Sequence, residues 1–283
     1  MKLTHKKNLL IYILLLFFLT VTAFFLFWEI KMNMYLKTVR QTYLQNATHY
    51  KAEAVKEYLN LTLNKLKDIE KRGEVEELLQ KYLNDGKISE DITSNAIKEL
   101  KEIGDSVAVF TPDGYILASS KSQPNTDYSD SGFLNRVKNG DIFTMYYDQY
   151  DKKYLLAILD PVLGDGKIKA ISGITLNMDT LARLSMSEYE LYNSDFFETY
   201  LVDENGILLT QSKFLKNTED RGVLTQKVDS PIVDMCKKQI NDPTLKYSED
   251  IHKYVNYLGN NVLGVFEIIP SANWCLISEY NFD

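Results

Sequence analysis

The sequence is poor in the residues that carry out chemistry. Among 283 residues there are two cysteines and three histidines. His5, His49 and His252 are too scattered to converge readily as metal ligands, so no metal is expected. Neither G-x-S-x-G nor H-E-x-x-H occurs, and the glycines fall at turns, not in a phosphate-cradling run. No catalytic residue and no cofactor follow, and the chain reads as not an enzyme. Basic excess is missing as well. A net charge of −7 and a pI near 5.2 exclude a nucleic-acid partner, whose phosphates require a positive surface. Cys236 and Cys275 lack the C-x-x-C spacing of zinc or thioredoxin-like sites. Two buried thiols are the simpler reading of the pair, and a disulfide is open to it in an oxidising compartment.

Long apolar runs are scarce too: there is one. Leu9–Trp28 holds 20 residues without a charge. As a helix it rises about 30 Å, the thickness of a bilayer's hydrocarbon core. Lys2, Lys6 and Lys7 precede it, which predicts a cytoplasmic N-terminus over 1–8, and Trp28 suits the interfacial belt. A cleaved signal peptide is the rival, but the run is long for one and no A-x-A site follows. The expectation is a single-pass anchor of the cell membrane over 9–28, with everything later outside the cytoplasm.

Proline and glycine are absent from Glu29 to Arg72. Leu36, Tyr43, Ala47, Tyr50, Ala54 and Leu61 form an apolar stripe at helical spacing. A long stalk helix is expected, ended by Gly73, with a possible homodimer contact along it. Arg40 and Glu57 interrupt the stripe, so a strict coiled coil is not supported. Two shorter helices are predicted, Val75–Leu83 and Asp91–Ile103, the second capped by Gly104.

What the rest of the chain has is a repeat. Val107–Lys121 (VAVFTPDGYILASSK) aligns without a gap to Thr199–Lys213 (TYLVDENGILLTQSK). Asp113-Gly114 and Asn205-Gly206 supply the positive-φ residues of a hairpin turn. A helix follows each hairpin, near Ser131–Lys138 and Pro231–Ile240, and then a three-strand meander. The copies end alike, Asn177-Met178-Asp179 against Asn281-Phe282-Asp283. The prediction is an α+β fold with two lobes, each carrying an antiparallel five-stranded sheet. The organisation reads 29–103 stalk and flanking helices, 104–178 distal lobe, 179–195 linker helix and 196–283 proximal lobe.

This order of elements resembles the double Cache sensor family, whose PAS-like lobes stand outside the membrane in chemoreceptors, sensor histidine kinases and diguanylate cyclases. The most specific stretches are Tyr254–Gly259, Val262–Phe266 and Asn273–Glu279, which resemble that family's "Y…G…VLG…NW.L..E" pattern. The resemblance implies a small-molecule ligand in the distal lobe. Amino-acid-binding members carry R-x-W-Y at the pocket helix and an aspartate on the last strand. Here those positions hold Ser131-Gly132-Phe133-Leu134 and Thr175. Without an arginine for the carboxylate and an acid for the ammonium group, a standard amino acid is argued against. A neutral or weakly polar ligand fits better. Aromatic density with a few polar tips marks Phe133, Tyr146, Tyr147, Asp148, Tyr154 and Thr175 as the expected pocket lining. The implied function is a membrane-anchored, extracytoplasmic ligand-sensing module of a signal-transduction receptor whose output domain is missing from this chain. The alternative is a stand-alone, surface-anchored small-molecule-binding or adhesion protein.

Overall fold

The computed structural model describes residues 2–103, 106–121, 136–137, 140, 142–148, 152–185, 196–215 and 222–281. The chain divides into two compact units, Met1–Ala47 and Thr48–Asp283. The first is the N-terminal part of helix α1 (Lys2–Glu70), which runs unbroken because no glycine or proline interrupts it. Within it, Leu15–Leu19 and Phe24–Trp28 each leave more than half of their surface uncovered by protein. The two hydroxyls of this stretch are satisfied internally. Thr20 and Thr22 donate to the carbonyls of Phe17 and Phe18 at 2.8 and 2.9 Å, as an apolar surrounding demands.

In the second unit α1 ends at Glu70, and Gly73 is not its stop but the first residue of α2 (Gly73–Asp85). The N-terminal N–H groups of α2 need acceptors, and Arg72 at the cap offers none. Glu99 of α3 (Glu90–Glu102) supplies one: its Oε2 accepts from Glu74 N and Val75 N at 2.9 and 3.2 Å. A carboxylate there also complements the helix dipole. Glu99→Ala is expected to cost about 1 kcal/mol, read as a fall of roughly 2–4 °C in thermal unfolding. Gly104, expected to cap α3, lies outside the described residues.

Nine strands follow among the described residues. The first sheet comprises β1 (Ser106–Phe110), β2 (Ile116–Ser119), β3 (Phe143–Asp148), β4 (Lys153–Gly164) and β5 (Lys167–Asn177), in the order β2-β1-β5-β4-β3. Helix α4 (Met178–Ser185) leaves it. The second sheet comprises β6 (Phe197–Val202), β7 (His252–Val255), β8 (Asn261–Ile269) and β9 (Trp274–Asn281), in the order β6-β9-β8-β7. Every pairing is antiparallel. The repeated hairpins share one turn. Thr111 N bonds Tyr115 O, and Asp203 N bonds Ile207 O, with Gly114 and Gly206 at φ 98° and 81°.

The second lobe departs from the expected five strands. Its sheet has four, and an irregular segment takes the fifth position. Leu209 N donates to Leu201 O at 2.8 Å and Thr210 Oγ1 accepts from Leu201 N at 3.0 Å. Leu208 forms an isolated antiparallel bridge with Val202, and its own N–H and C=O bond Gln226 and Leu224 on the other side. A hydroxyl and a diverted backbone replace the ladder that Ile116–Ser119 completes in the first lobe.

Strand alternation sorts the core. On one face of both sheets a single apolar cluster runs along α1, from Val55, Leu59, Leu66 and Ile69 to Val107, Ile158 and Ile174 of the first sheet. It continues to Leu201, Trp274 and Leu276 of the second. Polar contacts fasten the same helix, among them His49 Nδ1 at 3.1 Å from Glu267 Oε1 of β8. Glu70 receives the Ser172 hydroxyl of β5, and Lys51 Nζ donates to Thr199 Oγ1 of β6 at 2.8 Å. The opposite faces carry separate clusters. One is Phe110, Val137, Ala157, Leu159 and Ile171. The other packs Tyr200, Phe266 and Ile277 under Ile232 and Val233 of α5 (Pro231–Asn241). Cys236 of α5 is joined to Cys275 of β9 in a disulfide, which corrects the reading of two buried thiols. Their Cα atoms stand 6.3 Å apart across the helix–sheet interface, within bonding reach.

Candidate functional site

The expected pocket residues do not share one face. Opposed residues of an antiparallel pair project the same way and neighbours along a strand project oppositely. Tyr146 lies opposite Leu155 and packs on Phe110, Ala157 and Ile171, the face away from α1. Thr175, opposite Ser106 on one side and Ala157 on the other, has the same phase. The backbone of Asp148 pairs with Lys153, two residues beyond Tyr146 in β3. Tyr147 and Tyr154 oppose each other, their rings edge-to-face at 5.0 Å, in the other phase. Tyr154 packs against the core along α1. Tyr147 and Tyr154 therefore do not share a face with Tyr146 and Thr175, because adjacent residues of a strand project oppositely. Phe133 and the whole Ser131–Leu134 stretch lie outside the described residues. Arg136, which the sequence reading passed over, adds a cation to the Tyr146 face: its Nη1 donates to Thr144 Oγ1 at 3.4 Å. Thr144 pairs with Ala157 and shares that face.

Tyr154 instead lines a cleft of about 410 Å³ between the lobes. Lys152 and Lys153, Asn177 to Asp179 with Ala182 and Arg183 of α4, and Leu209 to Gln211 with Val223 complete its walls. Asn177 Oδ1 caps the first turn of α4 by accepting from Asp179 N at 3.0 Å.

The second lobe holds a buried polar cluster on the face away from α1. Glu198 of β6 and Glu279 of β9 are directly opposed, each 2% exposed. Glu279 Oε1 accepts from Tyr200 and Tyr254 at 2.7 and 2.6 Å, and Oε2 from Asn256 Nδ2 at 2.8 Å. Glu198 Oε1 accepts from Ser212 Oγ at 2.6 Å and Lys213 N at 2.8 Å, and Oε2 from Tyr257 at 3.3 Å. Burial pushes Glu198 up to about 7, against its hydrogen bond from Ser212 and with help from the charge of Glu279. Burial also raises Glu279, while its three donors hold it down. Burial first, and then the carboxylates, push Tyr200 and Tyr254 well above the usual phenol range. The cluster was legible in part. Aligning Asn177-Met178-Asp179 with Asn281-Phe282-Asp283 places Thr175 on Glu279. The sheets agree: Thr175 stands between Ser106 and Ala157 as Glu279 stands between Glu198 and Gly264.

The sequence profile of the Cache domain matches residues 33–283. The chain belongs to the Cache domain family. Both sheets, α1 from Asn33 onward and the buried carboxylate cluster lie within the Cache match. Solved structures share the fold. The ligand-binding domain of the Pseudomonas aeruginosa amino acid chemoreceptor PctB, in complex with L-Arg, is 16% identical with a TM-score of 0.55, covering 85% of this chain and 94% of that one. The sensory domain of the Campylobacter jejuni chemoreceptor Tlp3, with isoleucine bound, is 17% identical with a TM-score of 0.55, covering 89% and 95%. The extracellular domain of a candidate histidine kinase is 14% identical with a TM-score of 0.58, covering 88% and 96%. No curated protein matches the chain in sequence. Cache domains are ligand-binding, non-catalytic sensing modules, and family membership is consistent with a binding role. One N-terminal apolar helix followed by a Cache domain also fits a single-pass membrane protein.

Proposed function

We propose that this Cache protein is the membrane-anchored, extracytoplasmic sensing module of a signal-transduction receptor whose output domain lies outside this chain. The observation that carries the reading is the continuity of α1: its uncovered apolar stretch passes without a break into a helix packed along both Cache lobes. Lys2, Lys6 and Lys7 support a cytoplasmic N-terminus. Further along, Ile30, Met34, Tyr35 and Val39 are also exposed, and they suit a homodimer contact. Cysteines placed singly along Tyr35–Tyr58 are expected to cross-link at helical intervals in membranes. Uniform absence of cross-links would remove the dimer.

The first lobe binds a neutral or weakly polar small molecule on the face of Tyr146 and Thr175, with Phe133 and Asp148 as further candidates. The resemblance to amino-acid-binding Cache members calls for an acid where Thr175 stands, and a hydroxyl does not neutralise an ammonium group. Thermal-shift screening of the full chain in detergent micelles tests this. None of the standard amino acids is expected to stabilise it. A metabolite that does should lose roughly tenfold or more in affinity with Tyr146→Ala, the effect of removing about 1.4 kcal/mol of contact. Tyr147→Ala should leave the affinity within about twofold, since its ring is on the other face. Equal losses from Tyr146→Ala and Tyr147→Ala, or stabilisation by an amino acid, would overturn the assignment.

A further inference from the structure

The Glu198–Glu279 pair has an arrangement that ligand binding in the first lobe does not explain. Two carboxyl groups face each other across adjacent strands, both buried. Among the described residues, every donor that reaches them is neutral: the hydroxyls of Ser212, Tyr200, Tyr254 and Tyr257, the Asn256 amide and the Lys213 backbone N–H.

Among the described residues, the charged groups of the surrounding elements have partners outside the pair. Lys213 Nζ donates to the Phe197 carbonyl at 3.3 Å and lies over the Phe214 ring. Lys51 of α1 holds Thr199 on the opposite face. His252, in the same row across the sheet, stacks on Phe266 and bonds the Tyr247 carbonyl at 2.8 Å. From β8 the position opposite Glu279 is Gly264, which brings no side chain. From α5 the packed residues are Ile232, Val233 and Cys236, while Asp234 and Lys238 are exposed and Lys237 Nζ lies by Gly206. Asp203 accepts the N–H groups of its own turn.

Two like charges with no cation beside them among the described residues repel strongly in such a site, and a proton on either carboxyl removes the repulsion. We propose that the second lobe is a proton-responsive element. With a proton on the Glu198–Glu279 pair the β6–β9 ladder is closed. Losing that proton at higher pH sets two negative charges across the ladder and loosens β6 and β9, the strands that carry Thr199 and Leu276 against α1. This goes beyond ligand sensing and does not depend on it.

The direction of the effect follows from linkage. Glu198, raised from 4.5 to about 7 by burial, favours the protonated folded state. The stabilisation is whole below pH 4.5 or so, falls as the pH rises through about 7, and then levels.

The test uses the full chain in micelles. Infrared spectra should show a protonated-carboxyl band that disappears with a midpoint near pH 7 and is absent in Glu198→Gln. Amide-exchange protection of β6 and β9, corrected for intrinsic rates, should fall about tenfold between pH 6 and pH 8 in the wild type. It should stay within about twofold in Glu198→Gln. If Glu198→Gln does not fold, Glu279→Gln and the wild-type infrared titration decide. No carboxyl band titrating between about pH 5.5 and 8.5, or wild-type pH dependence surviving in a folded Gln variant, overturns the proposal.

Discussion

Replacing both Cys236 and Cys275 with alanine is expected to destabilise the second lobe by about 4 kcal/mol. The bridge closes a loop of 39 residues between α5 and β9. Opening a loop of that size returns roughly this much conformational freedom to the unfolded chain. Both sulfurs are buried, at 0% exposure, so small cavities add to the loss. Thermal unfolding should shift down by roughly 10 °C. Reductant without denaturant should act slowly on the native protein, because the bond is covered. Amide exchange should quicken in α5 and β9 and change little in β1–β5. A double variant within about 1 kcal/mol of the wild type would show that packing of Ile232 and Val233 holds α5 without the bridge.

Gly264→Ala is expected to be nearly as damaging. Gly264 is opposite Glu279 in β8, and the Tyr254 phenol lies directly over it. A Cβ there would stand 2.7 Å from Tyr254 Cε1 and 2.9 Å from Ile232 Cδ1. Neither neighbour has room, since Tyr254 is bonded to Glu279 and Ile232 is wholly buried. Overpacking costs about 1–3 kcal/mol, and moving the phenol off Glu279 removes a charge-assisted bond worth about 1.5–3 kcal/mol. A total of about 3–5 kcal/mol follows, measured by denaturant unfolding. Tyr254→Phe alone should cost the hydrogen-bond part only. Adding Tyr254→Phe to Gly264→Ala should therefore cost less than the sum of the two. Strict additivity would mean that the alanine does its damage elsewhere.

The repeat was readable because its turns are chemically explicit. Asp113-Gly114 and Asn205-Gly206 demand positive φ, and the structure has it at both glycines. The apolar run and the proline-free stretch after it were equally plain, and they join in one helix. What failed had identifiable physical reasons. Gly73 looked like a stop, but the helix it opens is capped from α3 by Glu99, a contact that sequence separation hides. The fifth strand of the second lobe was lost because the Thr210 hydroxyl competes for Leu201 N. Pairing of Cys236 with Cys275 depends on where α5 lies on the sheet, which no spacing rule gives. The grouping of Tyr146 with Tyr147 and Tyr154 spans both faces of the sheet, which the two-residue period of a strand already implies. The Glu198–Glu279 pair was within reach of the repeat, which sets Glu279 on Thr175, but its burial was not.

Two of the polar fasteners of α1, Lys51 to Thr199 and Glu70 to Ser172, sit 19 positions apart on one helix, or about 28 Å at 1.5 Å per residue. A hydrogen-bonded rod of that length hardly stretches. The lobes are therefore geared to a common shaft, held by these bonds, by His49 against Glu267 and by the shared apolar cluster: a shift of either sheet must be taken up by turning or sliding the shaft as a piece, or by breaking contacts with it. Severing one fastener alone, with Thr199→Ala or Ser172→Ala, should leave each lobe folded and slacken its grip on the shaft, seen as faster amide exchange in the adjoining turns of α1.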